Sequence, residues 1–269
     1  MVLTSCTMSA TSDSGSSGTP PSTSDRDASD DTTTSTTKPT STVDPSTSSP
    51  DSTSPETTSA TSTPATTAPA TTAPPADPRP LALDLLLTVT VENERPDGYV
   101  RDLFDHWITQ PSGCSTRETV LIRDAIGEPQ VDPFGCTVVE GDWISPYDGA
   151  SWIYPSDIDI DHVVALKEAW DSGAWNWSEA RRRAFANDLA DPRSLRAVTD
   201  NVNQSKSDQD PSNWMPPLRS YWCTYLGDWV AIKVRWRLSM DQSEFGRIRN
   251  LLRDECPGWR IDPVTPATV

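Results

Sequence analysis

The stretch Asp157-Ile158-Asp159-Ile160-Asp161-His162 alternates strictly between carboxylate and isoleucine and ends on an imidazole. Successive side chains of a strand point to opposite faces. This segment therefore predicts a strand with its isoleucines toward a core and three carboxylates on the other face. Leu195 to Val198 predicts a second brief strand, after which Thr199 or Asp200 caps a short helix carrying Asn203 and Lys206. Between the strands, Ser178 to Leu189 reads as a helix. Ser178 is its N-cap, Ala180, Ala184, Phe185 and Leu189 form one stripe, and Pro192 lies beyond its end. The order strand, helical insertion, strand, helix points to an α+β fold.

Upstream of this unit, Val100, Leu103, Phe104 and Trp107 fall at helical spacing and predict an entry helix over Tyr99 to Ile108. Thr119 to Ala125 is a further short apolar segment. Downstream of Pro216-Pro217, a stripe of Trp222, Tyr225, Leu226, Trp229, Val230, Lys233 and Trp236 predicts a long helix. Ser239 with Gln242 reads as a capping box that opens another through Phe245, Ile248, Leu251 and Leu252. Two antiparallel helices are expected. Cys114, Cys136, Cys223 and Cys256 show no CxxC spacing of the kind zinc uses. Sequential pairing, Cys114 with Cys136 and Cys223 with Cys256, closes two local loops worth about 3 kcal/mol each and implies an oxidising compartment. Four buried free thiols are the alternative.

The chain has 269 residues, a net charge of −17 and 11 tryptophans, all between Trp107 and Trp259. Residues 1 to 79 contain no Trp, Tyr or Phe, and their Ser/Thr/Pro/Ala/Asp composition cannot offset the entropy of ordering. A disordered tail over 1–79, one domain over 80–262 and a flexible end over 263–269 are expected. Leu3-Thr4-Ser5-Cys6 resembles a bacterial lipobox that would lipidate Cys6, with the tail as a stalk. The basic and apolar regions of a signal peptide do not precede it, so the match needs a start upstream of Met1 or arises by chance. No stretch reaches the roughly 18 apolar residues of a transmembrane helix. Residues 80–180 hold 19 acids against 5 bases, while 181–269 hold 11 against 14. A polyanion would approach from the C-terminal side, and the overall acidity argues against tight nonspecific DNA binding. A weakly held polyanion turned over at a metal fits this charge.

His162 can act as a neutral base, while the Asp161 carboxylate and the Asn203 carbonyl are hard oxygen donors suited to Mg²⁺ or Mn²⁺. Taken alone, Asp-His is a weak dipeptide, and Asn203 could equally be a helix-start residue. Three segments together carry more: Asp159-Ile160-Asp161-His162-Val163-Val164, Ser194-Leu195-Arg196-Ala197-Val198-Thr199 and Asn203-Gln204-Ser205-Lys206-Ser207-Asp208. They resemble the HNH nuclease motif of the His-Me finger superfamily and are similar to the HNH domain of RNA-guided CRISPR nucleases. With Cys114-Ser115-Thr116-Arg117, Ala169-Trp170, Phe185-Ala186-Asn187-Asp188 and Trp214-Met215-Pro216-Pro217, residues 81 to 256 resemble secreted actinobacterial HNH endonuclease family proteins. These are related to the C-terminal domain of GmrSD-type restriction enzymes.

The resemblance implies a ββα-metal core inside a mostly helical, disulfide-stapled domain. It makes His162 the general base, Asp161 and Asn203 the ligands of one Mg²⁺ or Mn²⁺ ion, and Lys206 a catalytic phosphate contact. It also implies DNA as substrate, with 5′-phosphate and 3′-hydroxyl products. Where the family often carries an Asn that braces the His loop, this chain has Ser194, and Asn187 is a second bracing candidate. Arg117 is a candidate phosphate contact. His106 and Arg123 read as structural or solvated and the Arg181 to Arg183 run as a solvated helix face, while Asp157 and Asp159, on the predicted face of Asp161, read either as holders of a second-shell water or as a solvated strand face. The expectation is a monomeric, metal-dependent endonuclease, secreted or anchored to a bacterial envelope. Two rivals remain: a weak or inactive envelope-tethered binding module on the same scaffold, suggested by the acidity and Ser194, and another metal phosphodiesterase.

Overall fold

The computed structural model describes residues 77–268. The tail to residue 76, with Cys6, lies outside them. The isoleucine and carboxylate alternation forms strand β5 (Ile158–His162), paired antiparallel with β6 (Leu195–Thr199) in a register that sets Asp161 opposite Arg196 and His162 opposite Leu195. Helices α3 (Leu166–Asp171) and α4 (Glu179–Ala186) fill the connection, and α5 (Asp200–Lys206) follows β6 directly. Ser178 caps α4 by accepting from the Arg181 amide. Thr199 makes no such cap at α5, because its hydroxyl is taken by the Trp152 indole N–H and by Asp148.

The β5/β6 ladder divides two cores. Ile158, Ile160, Leu195 and Ala197 pack with Val120 and Leu121 of α2 (Thr116–Asp124), and with Val138 and Trp143 from the short strands β2 (Val138–Glu140) and β3 (Trp143–Ile144). Strands β1 (Gln130–Val131) and β4 (Ser151–Trp152) complete two further two-stranded sheets with β2 and β3 respectively. The larger core is helical: Tyr225, Trp229, Val230 and Trp236 of α6 (Trp222–Trp236) meet Ile248 and Leu252 of α7 (Gln242–Asp254), Leu86 of α1 (Ala82–Leu86) and Phe185. Truncating any one of these aromatics to Ala would cost about 3–5 kcal/mol. The result is a mixed helix and strand domain with small sheets. Both disulfides form in sequential order, and Cys223–Cys256 joins the first turn of α6 to the chain just past α7. Among the described residues, no helix is long and apolar enough to cross a membrane.

Four expectations are corrected. The entry helix over 99–108 is only a 3-10 turn at Arg101–Leu103. Beyond it, distant side chains take the backbone groups: Arg182 donates to Leu103 O, and Asn187 donates to Asp105 O and accepts from Ile108 N. Asp157 lies in a second 3-10 turn before β5, so the strand presents two carboxylates instead of three. Helix α7 is capped by Asp241, which accepts from Glu244 N, while the Ser239 hydroxyl bonds to Ser172 O. The C-terminal end, expected to be flexible, docks on α6: Ala267 N donates to Arg235 O, and Arg235 Nη1 donates to Thr265 O.

Candidate functional site

With the isoleucines committed to the smaller core, Asp159 and Asp161 face α5. Asn203 Nδ2 donates to Asp159 Oδ2 at 3.2 Å. A carboxylate can only accept, so this bond orients the amide and leaves Asn203 Oδ1 as a free-facing acceptor. One turn further along α5, Lys206 Nζ donates to Asp161 Oδ1 at 2.8 Å and to the His162 carbonyl at 3.0 Å. The Tyr147 hydroxyl donates to Asp161 Oδ2 at 2.5 Å. Burial pushes the Asp161 carboxyl above its usual range, against the downward pull of Lys206 and Tyr147.

His162 is 6% exposed, and its Nε2 lies 2.9 Å from the carbonyl oxygen of Ala186, the last residue of α4. Because a carbonyl only accepts, Nε2 carries the proton and Nδ1 keeps the lone pair. Burial drives the imidazole pKa down to about 3, the Ala186 carbonyl opposes this, and the positive charge of Arg101 adds to the depression. The ring is neutral at physiological pH. Trp107 stacks on it with centroids 5.1 Å apart and planes 30° from parallel. Trp107 holds a left-handed backbone, φ 59°, a conformation that costs a bulky residue about 1–3 kcal/mol. Asn187 fixes that loop by accepting from Ile108 N and donating to Asp105 O, and anchors itself to α2 by accepting from Thr116 Oγ1 and to its own helix by donating to Arg183 O. The helical insertion thus orients the imidazole twice, through Ala186 and through the loop that Asn187 holds.

Asp161, His162 and Asn203 line one cleft of about 370 Å³, shared with Arg101, Gln204 and Asp208. Two larger clefts, about 700 and 480 Å³, run beside Arg235 and the C-terminal strap, and none of those three residues lines either one. The donor set suits a hard divalent cation. Two of the roughly four lone-pair positions of Asp161 are used, which leaves two for a metal beside the Asn203 carbonyl.

Other residues singled out in the sequence take different places. Lys206 is completely buried and spends its charge on Asp161, so it does not face an incoming phosphate. Arg117 donates to the Pro155 and Ile158 carbonyls at 2.9 and 3.2 Å, buttressing the start of β5 outside the cleft. Ser194 accepts the Val163 amide through its carbonyl and donates its hydroxyl to Asp188, tying down the residue that follows His162. The Arg run is less solvated than expected: Arg181 donates to Trp236 O and Arg182 to Leu103 O and Trp177 O, while Arg183 pairs with Asp105 at 3.3 Å. His106 bonds Phe104 O through Nδ1, with its ring 6.5 Å from that of His162. Sequence reasoning passed over Arg101, Trp107, Tyr147 and the Ala186 carbonyl. Arg101 is not singled out within the expected entry helix, Trp107 falls on that helix's apolar stripe, and a backbone carbonyl carries no sequence signal.

Residues 130–246 match the GmrSD restriction endonucleases, C-terminal domain, a span that contains Tyr147, Asp161, His162, Asn203 and Lys206 and leaves out Arg101 and Trp107. A relative from the fungus Arthroderma benhamiae, described as an uncharacterized secreted protein, is 52% identical over 172 residues, 64% of this chain and 83% of the relative. That source is fungal, whereas the sequence resemblance pointed to actinobacterial proteins. No solved structure matches the chain. The chain belongs to the family of this secreted fungal protein, and its central segment, which bears the cleft, is related to the C-terminal domain of GmrSD restriction endonucleases.

Proposed function

We propose that the protein is an extracytoplasmic, metal-dependent endonuclease of the HNH type, with a His-Me finger core formed by β5, β6 and α5, that hydrolyses DNA phosphodiester bonds. The observation that carries this reading is the convergence of Asp161, His162 and Asn203 on one cleft with the imidazole tautomer already set. His162 Nδ1 accepts a proton from water, the hydroxide oxygen attacks phosphorus, and the P–O bond to the leaving sugar oxygen breaks. That oxygen takes up a proton, giving a phosphate monoester and an alcohol. A Mg²⁺ or Mn²⁺ ion held by Asp161 and Asn203 would neutralise charge on the phosphate. A base with a pKa near 3 is weak at rest. A phosphate anion entering beside it stabilises the imidazolium and raises its basicity as substrate binds. Lys206 and Tyr147 hold the Asp161 carboxylate in one orientation. The secreted relative and the two disulfides support action outside the cytoplasm.

Purified protein incubated with supercoiled plasmid in Mg²⁺ or Mn²⁺ should nick it, EDTA should stop the reaction, and His162→Ala should lower the rate by about 10²–10⁴ while the circular dichroism spectrum is kept. A wild type that leaves plasmid intact in every metal would remove the nuclease reading. One observation favours a second reading, a binding module without catalysis: both Asp161 oxygens already accept hydrogen bonds. Under it, DNA is retained without metal-dependent nicking. Cleavage of small aryl phosphodiesters with DNA left intact would instead identify another phosphodiesterase.

A further inference from the structure

The cleft needs a cation facing the substrate, and Lys206 is not that cation, since it is enclosed behind Asp161. Among the residues lining the cleft, Arg101 alone carries a permanent positive charge. Its side chain is exposed, and it enters none of the ion pairs formed among the described residues. Most other arginines of this domain are engaged: Arg193 with Asp191, Arg196 with Asp228, Arg235 with Asp188, and Arg181 and Arg182 with backbone carbonyls. The backbone beneath Arg101 is fixed. The Phe104 amide donates to the Arg101 carbonyl, the Phe104 ring is wholly buried, and Arg182 holds Leu103 O. A guanidinium with no carboxylate partner and the Tyr99 hydroxyl beside it, on a rigid turn and sharing a cleft with a carboxylate, an amide carbonyl and an imidazole, is a preformed fork for a phosphate oxygen pair.

We propose that Arg101 is the substrate-contacting cation of the site, gripping the non-bridging oxygens of the phosphodiester that lies against His162 and stabilising the charge that builds there during attack. The proposal rests on the nuclease reading and extends it to a residue outside the segment that matches the GmrSD domain. Its charge is also felt at the imidazole, which places the guanidinium within electrostatic reach of the reacting group.

The test uses the full chain in two arms. In the first, Arg101→Ala and Arg101→Lys are compared with wild type in plasmid nicking with Mg²⁺. Loss of one charge-stabilising donor should lower the rate by about 10²–10³, and the lysine, which cannot fork, should recover only part of it. In the second, binding of a fluorescein-labelled DNA duplex is followed by anisotropy across a salt series, with His162→Ala present throughout so that nothing is cut. Removing one phosphate contact should reduce the slope of log affinity against log salt by about 0.9, and Arg101→Lys should restore that slope. If Arg101→Ala nicks at the wild-type rate and keeps the wild-type slope while His162→Ala is dead, the Arg101 assignment falls and the nuclease reading stands. If the wild type cuts nothing, the nuclease reading falls. The salt slope then decides Arg101 alone: a reduced slope keeps it as a phosphate contact, and an unchanged one removes it.

Discussion

Lys206 and Lys233 are both fully buried and both paired with carboxylates, yet they are built for different ends. Lys233, deep in α6, has four acceptors around its three N–H groups: Glu168 Oε1 at 2.5 Å, Ser172 Oγ at 2.6 Å, Ser239 O at 2.9 Å and Glu244 Oε2 at 3.1 Å. It ties α3, α6, α7 and the turn between the last two into one block. Lys206 makes only two such bonds, and its carboxylate partner lines an open cleft. A saturated ammonium among acceptors serves the fold, whereas an unsaturated one behind a carboxylate at the wall of a cleft holds a functional group in place. Charge pairing inside a protein therefore does not separate structure from site. What separates them is whether the acceptors are used up and whether the acid lines a cleft.

The strongest way to break this contrast is to delete each ammonium in turn. Lys233→Met leaves Glu168 and Glu244 facing each other without a cation, and stripping one partner from a buried ion cluster costs about 3–5 kcal/mol. Urea denaturation should show that loss. Lys206→Met should cost less, about 1–3 kcal/mol, because Tyr147 still donates to Asp161 and the cleft admits water, yet nicking should fall sharply as the Asp161 orientation loosens. Equal destabilisation by the two substitutions, with cleavage intact in Lys206→Met, would erase the distinction.

Acid and base should discriminate the two regions with opposite signs. Native His162 titrates near 3 against an ordinary 6.5, so below about pH 6.5 the unfolded chain takes up a proton that the native ring refuses. That contribution is complete above 6.5 and is lost as pH falls toward 3, at up to about 1.4 kcal/mol per pH unit. Glu244 behaves the other way. Burial pushes it up to about 8 over the pull of Lys233, so its contribution is complete below 4.5 and is lost as pH rises through 8. Urea melts should show wild type losing more stability than His162→Gln between about pH 7 and about pH 5. Glu244→Gln should flatten the decline between about pH 4.5 and about pH 8. The raised Asp161 has the same sign as Glu244, but wild type and His162→Gln share it, so it cancels in their difference.

The parts of this molecule that were readable in advance are those where one local pattern is decided by one neighbour. Ile158 and Ile160 fix the face of β5, the Trp222 to Trp236 stripe fixes α6, and Cys223 with Cys256 staples the helices. The convergence of Asp161, His162 and Asn203 was legible because a strand end, a strand and a helix start follow each other in a fixed order. What escaped was decided at long range. Tyr99 to Ile108 has helical spacing, yet Asn187, 79 to 82 residues away, captures its backbone groups and bends it so that Trp107 meets His162. Asn203 and Lys206 sit one turn apart on one face of α5. Spacing cannot tell that the first reaches the cleft while the second turns inward to Asp161.

Arg117 gives the finest test of that lesson, because the sequence offered it as a phosphate contact and the structure uses it to hold Pro155 O and Ile158 O at the entrance to β5. Its side chain is 33% exposed and its pairing with Glu118 adds little. Losing the donor to the half-buried Pro155 carbonyl and to that of buried Ile158 should cost about 1–3 kcal/mol. Arg117→Ala should therefore lower the melting temperature while leaving the nicking rate and the salt slope of DNA binding where they were, in contrast with Arg101→Ala. A slope reduced by about 0.9 in Arg117→Ala would mean that a guanidinium already bonded to two backbone carbonyls still reaches the DNA backbone. The line between supporting and substrate-facing cations would then run through this arginine as well.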